Sequence, residues 1–320
     1  MLSRVARNVY WMSRCLERAE DTARLVNVNS HLLMDLPKNT TFGWEPLIAI
    51  MGSQDLFYEN YKTPDERNVV KFLLGDKNNA SSILNSLANA RENLRTSRDI
   101  IPREASEQVN DLYLYAKSKI PGGIPKNSRY DFLNTVIKGV QQITGLLYGT
   151  MSRDVAYDFM RLGRYLERAD MTTRILDVRS ASLLPKTPED QIVLTPFDNI
   201  QWMSVLKSLT AYQMYRRHMK MVRVRGSSVL AFFFKNAEFP RSVCFCLNQV
   251  EGCLKGLPHN DLPLRSLARL QRQVSTADAH ALAHAGLHEF IDELQIGMAG
   301  VHGHIDTIFF GGRAVENVAA

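Results

Sequence analysis

A chain of 320 residues with 45% hydrophobic and 22% charged residues can bury a large core, which excludes an intrinsically disordered protein. The net charge of +6 is small for this length, and acids accompany the basic residues, so the dense Lys/Arg patch of a nucleic-acid-binding protein is absent. Four cysteines make no disulfide framework and no apolar run reaches the ~18 residues of a membrane helix, so we expect a cytoplasmic protein.

The first predicted element is a long helix over residues 5–28. At 100° per residue, Leu16 lies in an apolar stripe typical of a core-facing surface, and Glu17 lies nearly opposite it. Tyr10 and Leu25 lie on the same side as Glu17, so that side is not polar throughout. A helix that is apolar nearly all round is expected to be buried, and its charged side chains must then form pairs.

Hydrophobic residues keep a helical period through the rest of the chain, with short breaks at proline and glycine. About six helical segments precede residue 150, and a similar series then returns. A shift of 150 residues superimposes identical residues at many positions. The clearest matches place Arg14, Leu16, Glu17, Arg18, Ala19, Thr22 and Arg24 on Arg164, Leu166, Glu167, Arg168, Ala169, Thr172 and Arg174. The pattern predicts an all-α, internally duplicated helical bundle with pseudo-two-fold symmetry.

The same matches predict the domain organisation. No Ser/Gly-rich linker separates the copies, so we expect one all-helical domain over residues 1–320. Its two repeats are expected to cover residues 1–150 and 151–320.

The two copies of the long helix share one glutamate and three arginines, an excess of positive charge. Spacings of three and four residues favour ion pairs within each helix. The predicted pairs are Arg14–Glu17, Arg18–Asp21, Glu20–Arg24, Arg164–Glu167 and Asp170–Arg174. We also expect the two helices to meet, with Glu17 and Glu167 each accepting hydrogen bonds from several guanidinium groups.

Two interpretations of the surplus arginines stay open: a purely structural network, or a site that holds a carboxylate or phosphate in forked geometry. The candidate anion-binding or substrate-binding residues on the two helices are Arg14, Arg18, Arg24, Arg164, Arg168 and Arg174. Arg241 and Ser242 follow Pro240 at a predicted helix start, which either binds an anion or simply initiates the helix. Tyr215 and Arg216 are further candidates, or a packed helix edge.

Three histidines, His280, His284 and His288, are spaced by four residues on one predicted helix. Two imidazoles at this spacing can share a metal, but the third drifts around the helix axis and no Glu-x-x-His motif appears. We therefore predict no metal site. The sequence also lacks a phosphate-binding glycine-rich loop and a catalytic serine motif, so we predict no cofactor and assign any nucleotide to a partner.

The segment from Tyr10 to Glu20, with the sequence YWMSRCLERAE, resembles the opening signature of the bacterial Alpha-E superfamily, helical proteins named for a Glu-Arg motif. The resemblance covers essentially the full chain, although Cys15 stands where a tyrosine is expected, as at Tyr165. It implies an association with circularly permuted ATP-grasp proteins, which are predicted amide ligases, and with transglutaminase-like proteases. These two classes are the expected partners.

The resemblance leads to two functional hypotheses. In the first, the chain is an accessory or substrate-binding protein of an ATP-grasp-linked system that makes or processes a peptide-like product. In the alternative it is an enzyme of that system, with Glu17 or Glu167 as the acid or base and neighbouring arginines stabilising an oxyanion. An enzyme should place the glutamate in a solvent-reachable pocket, whereas a scaffold should bury it fully paired.

Overall fold

A computed structural model describes residues 3–35, 43–97, 99–120, 125–180, 198–219 and 224–311. All regular structure in these ranges is helical, which confirms the predicted all-α class, and none of their helices is long and apolar enough to cross a membrane. The first half contains α1 (Ser3–Asp35), α2 (Glu45–Ile50), α3 (Gln54–Asn60), α4 (Glu66–Gly75), α5 (Ile83–Arg95), α6 (Arg103–Lys119) and α7 (Lys126–Thr150). The second contains α8 (Val155–Ser180), α9 (Asp198–Ser208), α10 (Tyr212–Met219), α11 (Gly226–Lys235), α12 (Val243–Lys255), α13 (Asp261–Thr276), α14 (Ala279–Leu282), α15 (Leu287–Ile305) and a closing π-helical turn (Asp306–Phe310).

The two long helices α1 and α8 form the centre of the fold and pack against each other more extensively than any other pair. Helices α5 and α7 cover α1, while α12 and α15 cover α8. Tyr10 and Leu25 are buried on the side of α1 that carries the charges, as their apolar character predicts. The acidic side chains of α1, Glu17, Glu20 and Asp21, are likewise buried.

Gly163 allows the close approach of α1 and α8. A Cβ atom at this position would lie 2.2 Å from the carbonyl oxygen of Tyr10 and 3.3 Å from Cγ of Arg14. The first contact is with backbone, which no rotamer change can relieve. Only glycine therefore fits at this point of the contact between the two helices.

Helices α5 and α12 begin in the same way. The hydroxyl of Ser82 accepts a hydrogen bond from the amide of Asn85 at 3.3 Å, and that of Ser242 accepts one from Phe245 at 3.1 Å. Each hydroxyl also donates to the carbonyl six residues before it. The internal duplication, its pseudo-two-fold axis and the division into two repeats stay predictions.

The histidine-rich segment differs from its prediction. His280 lies in the short helix α14, and His284 follows the end of that helix. Gly286 then adopts a left-handed backbone conformation (φ +78°), so His288 belongs to the first turn of a new helix, α15. The prediction of one helix was wrong because the Gly286 turn interrupts it.

Candidate functional site

Glu17 is held by two arginines from the second half of the chain. Its carboxylate accepts hydrogen bonds from Nε and Nη2 of Arg168 at 2.6 and 2.8 Å, and Nη1 of Arg241 lies 3.0 Å away. Only 2% of the Glu17 side chain is exposed. Burial alone would raise its pKa, but the charges of Arg168 and Arg241 prevail and lower that pKa to about 2.

Glu167 on α8 makes the reciprocal contacts with α1. It accepts hydrogen bonds from Nε of Arg14 at 2.7 Å and from Nε of Arg18 at 2.6 Å. Burial opposes ionisation here too, yet the two arginines hold the pKa of Glu167 below its usual range. Each glutamate is thus paired across the helix contact.

The pairs predicted within the helices are only partly present. Arg24 donates to Glu20 at 2.7 Å, and Arg174 to Asp170 at 2.8 Å, as the four-residue spacing predicts. The three-residue pairs of Arg14, Arg18 and Arg164 were wrong. Packing of α1 on α8 instead places Glu167 of the other helix within hydrogen-bonding distance of Nε of both Arg14 and Arg18.

Arg164 differs from Arg14, its match in the first half. It is buried, and within the described ranges it forms no ion pair at hydrogen-bonding distance with a carboxylate. Burial and the nearby charge of Arg168 lower the pKa of Arg164, while the charge of Glu17 opposes them. Arg164 therefore adds positive charge to the centre of the fold.

Arg241 joins the start of α12 to α1. Its guanidinium lies 2.6 Å from Oδ1 of Asp21 and 3.1 Å from Oε1 of Glu20, in addition to its contact with Glu17. Ser242 is fully buried as the helix cap, which is the helix-initiation role. We call the charged residues gathered at this helix contact the Glu–Arg network, whether or not each forms an ion pair: Arg14, Glu17, Arg18, Glu20, Asp21, Arg24, Arg164, Glu167, Arg168 and Arg241.

The remaining candidates lie outside this network. Tyr215 is buried with its ring 5.5 Å from that of Phe232, and Arg216 is exposed with its guanidinium over Tyr212. Arg174 bonds Asp170, and its Nη1 lies so near Gly52 that a Cβ added to this glycine would be only 2.8 Å from it. The structure does not bring these residues to the other candidates.

A cavity of about 270 Å³, the network cavity, opens beside the Glu–Arg network. Its charged wall consists of Glu20, Arg24, Arg168 and Arg241. The remaining lining residues are Gln141, Thr144, Leu209, Thr210, Phe239 and Pro240. Neither Glu17 nor Glu167 belongs to the lining, so the cavity presents three arginines and one acid, and Glu17 holds two of those arginines, Arg168 and Arg241, from outside the cavity.

Thr210 lines the network cavity with a strained backbone. Its φ of +56° lies in the left-handed region, which a β-branched residue rarely adopts. Such strain persists where the surrounding structure imposes it and is concentrated at functional sites. Sequence reasoning missed Thr210, and the sequence contains no signal for it because a threonine predicts the opposite backbone region.

A family model matches residues 1–310 of the chain, and its description is a predicted alpha-helical domain with a conserved ER motif. The chain belongs to the Alpha-E family. In this Alpha-E chain, Glu-Arg pairs stand at 17–18 on α1 and at 167–168 on α8, the residues that bond each other across the helix contact. Neither the curated proteins nor the solved structures contain a significant match to it.

Among the described residues of this Alpha-E chain, three side chains have ligand atoms close enough to share a metal ion: Asp177, His288 and Asp292. Nδ1 of His288 lies 2.9 Å from Asp177, and Nε2 lies 3.5 Å from Asp292. A metal ligand presents one ring nitrogen to the ion, whereas here each nitrogen faces a different acid. The hydrogen bond with Asp177 raises the pKa of His288, which fits an imidazolium that bridges α8 and α15.

Asp21 is the acid of the Glu–Arg network whose carboxylate is only partly hydrogen-bonded. Its Oδ1 accepts from Arg241, but Oδ2 is buried and has no hydrogen-bond partner among the described residues. Burial raises the pKa of Asp21 to about 7, with Glu17 and Glu20 adding repulsion and Arg241 opposing both. Folding therefore favours the protonated form of this carboxyl group.

Asp21→Asn is expected to stabilise the protein above about pH 7. The pKa of Asp21 is higher in the folded state than its ordinary value of 3.8, so folding takes up a proton and stability falls as pH rises from about 4 to about 7. The neutral amide removes this dependence. Urea unfolding at about pH 5 and about pH 8 tests it, with the exposed Asp131→Asn as control. A less stable Asp21→Asn variant at the higher pH would contradict the assignment.

Proposed function

We propose that this Alpha-E chain is a non-catalytic accessory or substrate-binding protein of an ATP-grasp-linked system that makes or processes a peptide-like product. The burial of the two central glutamates and their pairing with arginines support the proposal. Glu17 and Glu167 are each 2% exposed, and each is held by at least two guanidinium groups. A general acid or base must exchange a proton with its substrate, and these two carboxylates are fully committed to arginines.

The enzyme alternative has less support. The pKa values of Glu17 and Glu167 are held below the usual range, and neither residue lines the network cavity. Asp21 has a pKa near neutrality, but it is 1% exposed and does not line the cavity either. The cavity instead exposes arginines, which bind anions without proton transfer. Binding therefore explains the arrangement better than catalysis.

The assignment to an ATP-grasp system comes from the family resemblance. ATP-grasp proteins of this kind are predicted amide ligases, and the present sequence has no glycine-rich phosphate loop of its own. The division of roles we propose gives ATP chemistry to the partner and recognition of the peptide-like molecule to this chain. A transglutaminase-like protease is the second proposed partner.

Capture of the tagged protein from the cell in which it is naturally made tests this proposal. Reversible cross-linking before lysis retains weak complexes, and mass spectrometry identifies the captured proteins. We expect an ATP-grasp protein above the level recovered with the tag alone. Repeated cross-linked captures without an ATP-grasp or transglutaminase-like protein would refute the accessory role.

A further inference from the structure

Two arginines of the network cavity are oriented in the same way. Arg24 directs Nε and Nη2 to Glu20 at 2.9 and 2.7 Å, and Arg168 directs the same two nitrogens to Glu17. Within the described ranges, Nη1 of Arg24 makes no hydrogen bond, and Nη1 of Arg168 has only a 3.5 Å contact with the carbonyl of Pro240. The second edge of each guanidinium is therefore available in a site where the first edge is fixed.

Glu20 adds an acceptor beside these donors. Its Oε1 receives the hydrogen bonds of Arg24 and Arg241 and a 3.4 Å contact from Gln141. No described residue donates to Oε2. The network cavity thus combines two fixed guanidinium edges with one carboxylate oxygen, which matches a ligand whose carboxylate stands next to an N–H group.

A second cavity, the outer cavity, borders the first. Its volume is about 470 Å³, and it shares Phe239 and Pro240 with the network cavity. Met214 and Phe232 give it an apolar part. A ligand that is held at the arginines and passes Phe239 and Pro240 would place its next group beside these apolar side chains.

We infer that the two cavities bind the C-terminal end of a peptide. The terminal carboxylate accepts hydrogen bonds from Nη1 of Arg24 and Nη1 of Arg168. The N–H of the last peptide bond donates a hydrogen bond to Oε2 of Glu20. The preceding residues pass into the outer cavity and place an apolar side chain against Met214. A free amino acid offers the same terminal chemistry but occupies the network cavity alone, and inorganic phosphate has no N–H donor. The inference names the substrate class of the proposed function and rests on it.

Equilibrium dialysis with mass spectrometry tests the inference on the full chain. The probes are a pool of apolar tripeptides with free carboxylates, the same pool with C-terminal amides, free alanine and inorganic phosphate. We expect the acid pool to bind at least about tenfold more tightly than each other probe, the ratio expected when a charge-assisted hydrogen bond is lost. Equal retention of the acid and amide pools, tighter binding of phosphate, or no retained tripeptide would overturn the inference.

Variants locate the binding in the two cavities. Arg24→Gln is expected to weaken tripeptide binding about tenfold. Arg174→Gln removes the arginine of an equivalent i,i+4 pair that lies outside the cavities, and it should leave binding unchanged.

Two further variants test the two cavities separately. Thr144→Trp fills the network cavity without removing a charge and should abolish binding. Met214→Glu should weaken the binding of tripeptides but not that of alanine. Equal effects of Arg24→Gln and Arg174→Gln would contradict the assignment.

The outcomes separate this inference from the accessory role. Capture of an ATP-grasp protein without any tripeptide binding leaves the accessory role intact and removes the peptide site. If tripeptides bind and binding depends on Arg24, but no ATP-grasp protein is captured, the peptide site stands and the accessory role is refuted. Thermal unfolding of each variant shows that it is folded before its binding is compared.

Discussion

Glu17→Gln is expected to lower the free energy of unfolding by about 3–5 kcal/mol, because it leaves the guanidinium of Arg168 inside the fold without the carboxylate that it bonds. The amide keeps the shape of the side chain but not its charge. Arg168 and Arg241 both bond this carboxylate and would then repel each other inside the fold. Urea unfolding near neutral pH measures the change.

An exposed pair provides the control for this prediction. Glu92 and Arg95 lie 2.8 Å apart on the surface of α5, with 60% and 58% of their side chains exposed. Solvent screens such pairs, so Glu92→Gln should leave the free energy of unfolding unchanged within error. An equally small effect of Glu17→Gln would show that water reaches the Glu–Arg network, which contradicts its buried position.

The sequence predicted the burial of α1 for a physical reason. Tyr10 and Leu25 share a side of the helix with Glu17, and an exposed helix face does not usually keep such residues. Once the helix is buried, its charges must be neutralised, so the reciprocal contacts of Glu17 and Glu167 follow as an expectation. The hydrophobic period and the residue composition were sufficient to predict that α1 is buried and that its central glutamate is paired.

The identity of the partners was not predictable to the same degree. Local spacing treats Glu17 as a partner of Arg14, whereas the closest arginine in the structure is Arg168, which is 151 residues away. Arg241 approaches Asp21 from still further along the chain. These contacts depend on how α1, α8 and the start of α12 pack together, and hydrophobic period contains no information on that packing.

The cavities were the least predictable feature. The lining of the network cavity includes Gln141 and Thr144 from α7, which look like ordinary polar positions on a helix surface. Thr210 contributes through a backbone conformation that its residue type disfavours. A site whose lining comes from five separate segments is visible only after the chain has folded.

Gly163→Ala is expected to lower the free energy of unfolding by about 3 kcal/mol or more, because the added methyl group overlaps the backbone of α1. The new Cβ would lie 2.2 Å from the carbonyl oxygen of Tyr10 and 3.0 Å from its carbonyl carbon. Relief requires α1 and α8 to move apart. That movement also lengthens the 2.7 Å hydrogen bond between Arg14 and Glu167, so the steric and electrostatic losses add.

Gly252→Ala is the matched control, since Gly252 also lies within a helix but has open space around its Cα. There the methyl group should stabilise the helix by about 0.5–1 kcal/mol. The same substitution is thus expected to have opposite signs at two helical positions, measured by urea unfolding of both variants. A stable Gly163→Ala protein would mean that the two backbones do not approach closely. The arginines that donate hydrogen bonds of 2.6–2.8 Å to each glutamate from the opposite helix would then have to span a wider gap between α1 and α8.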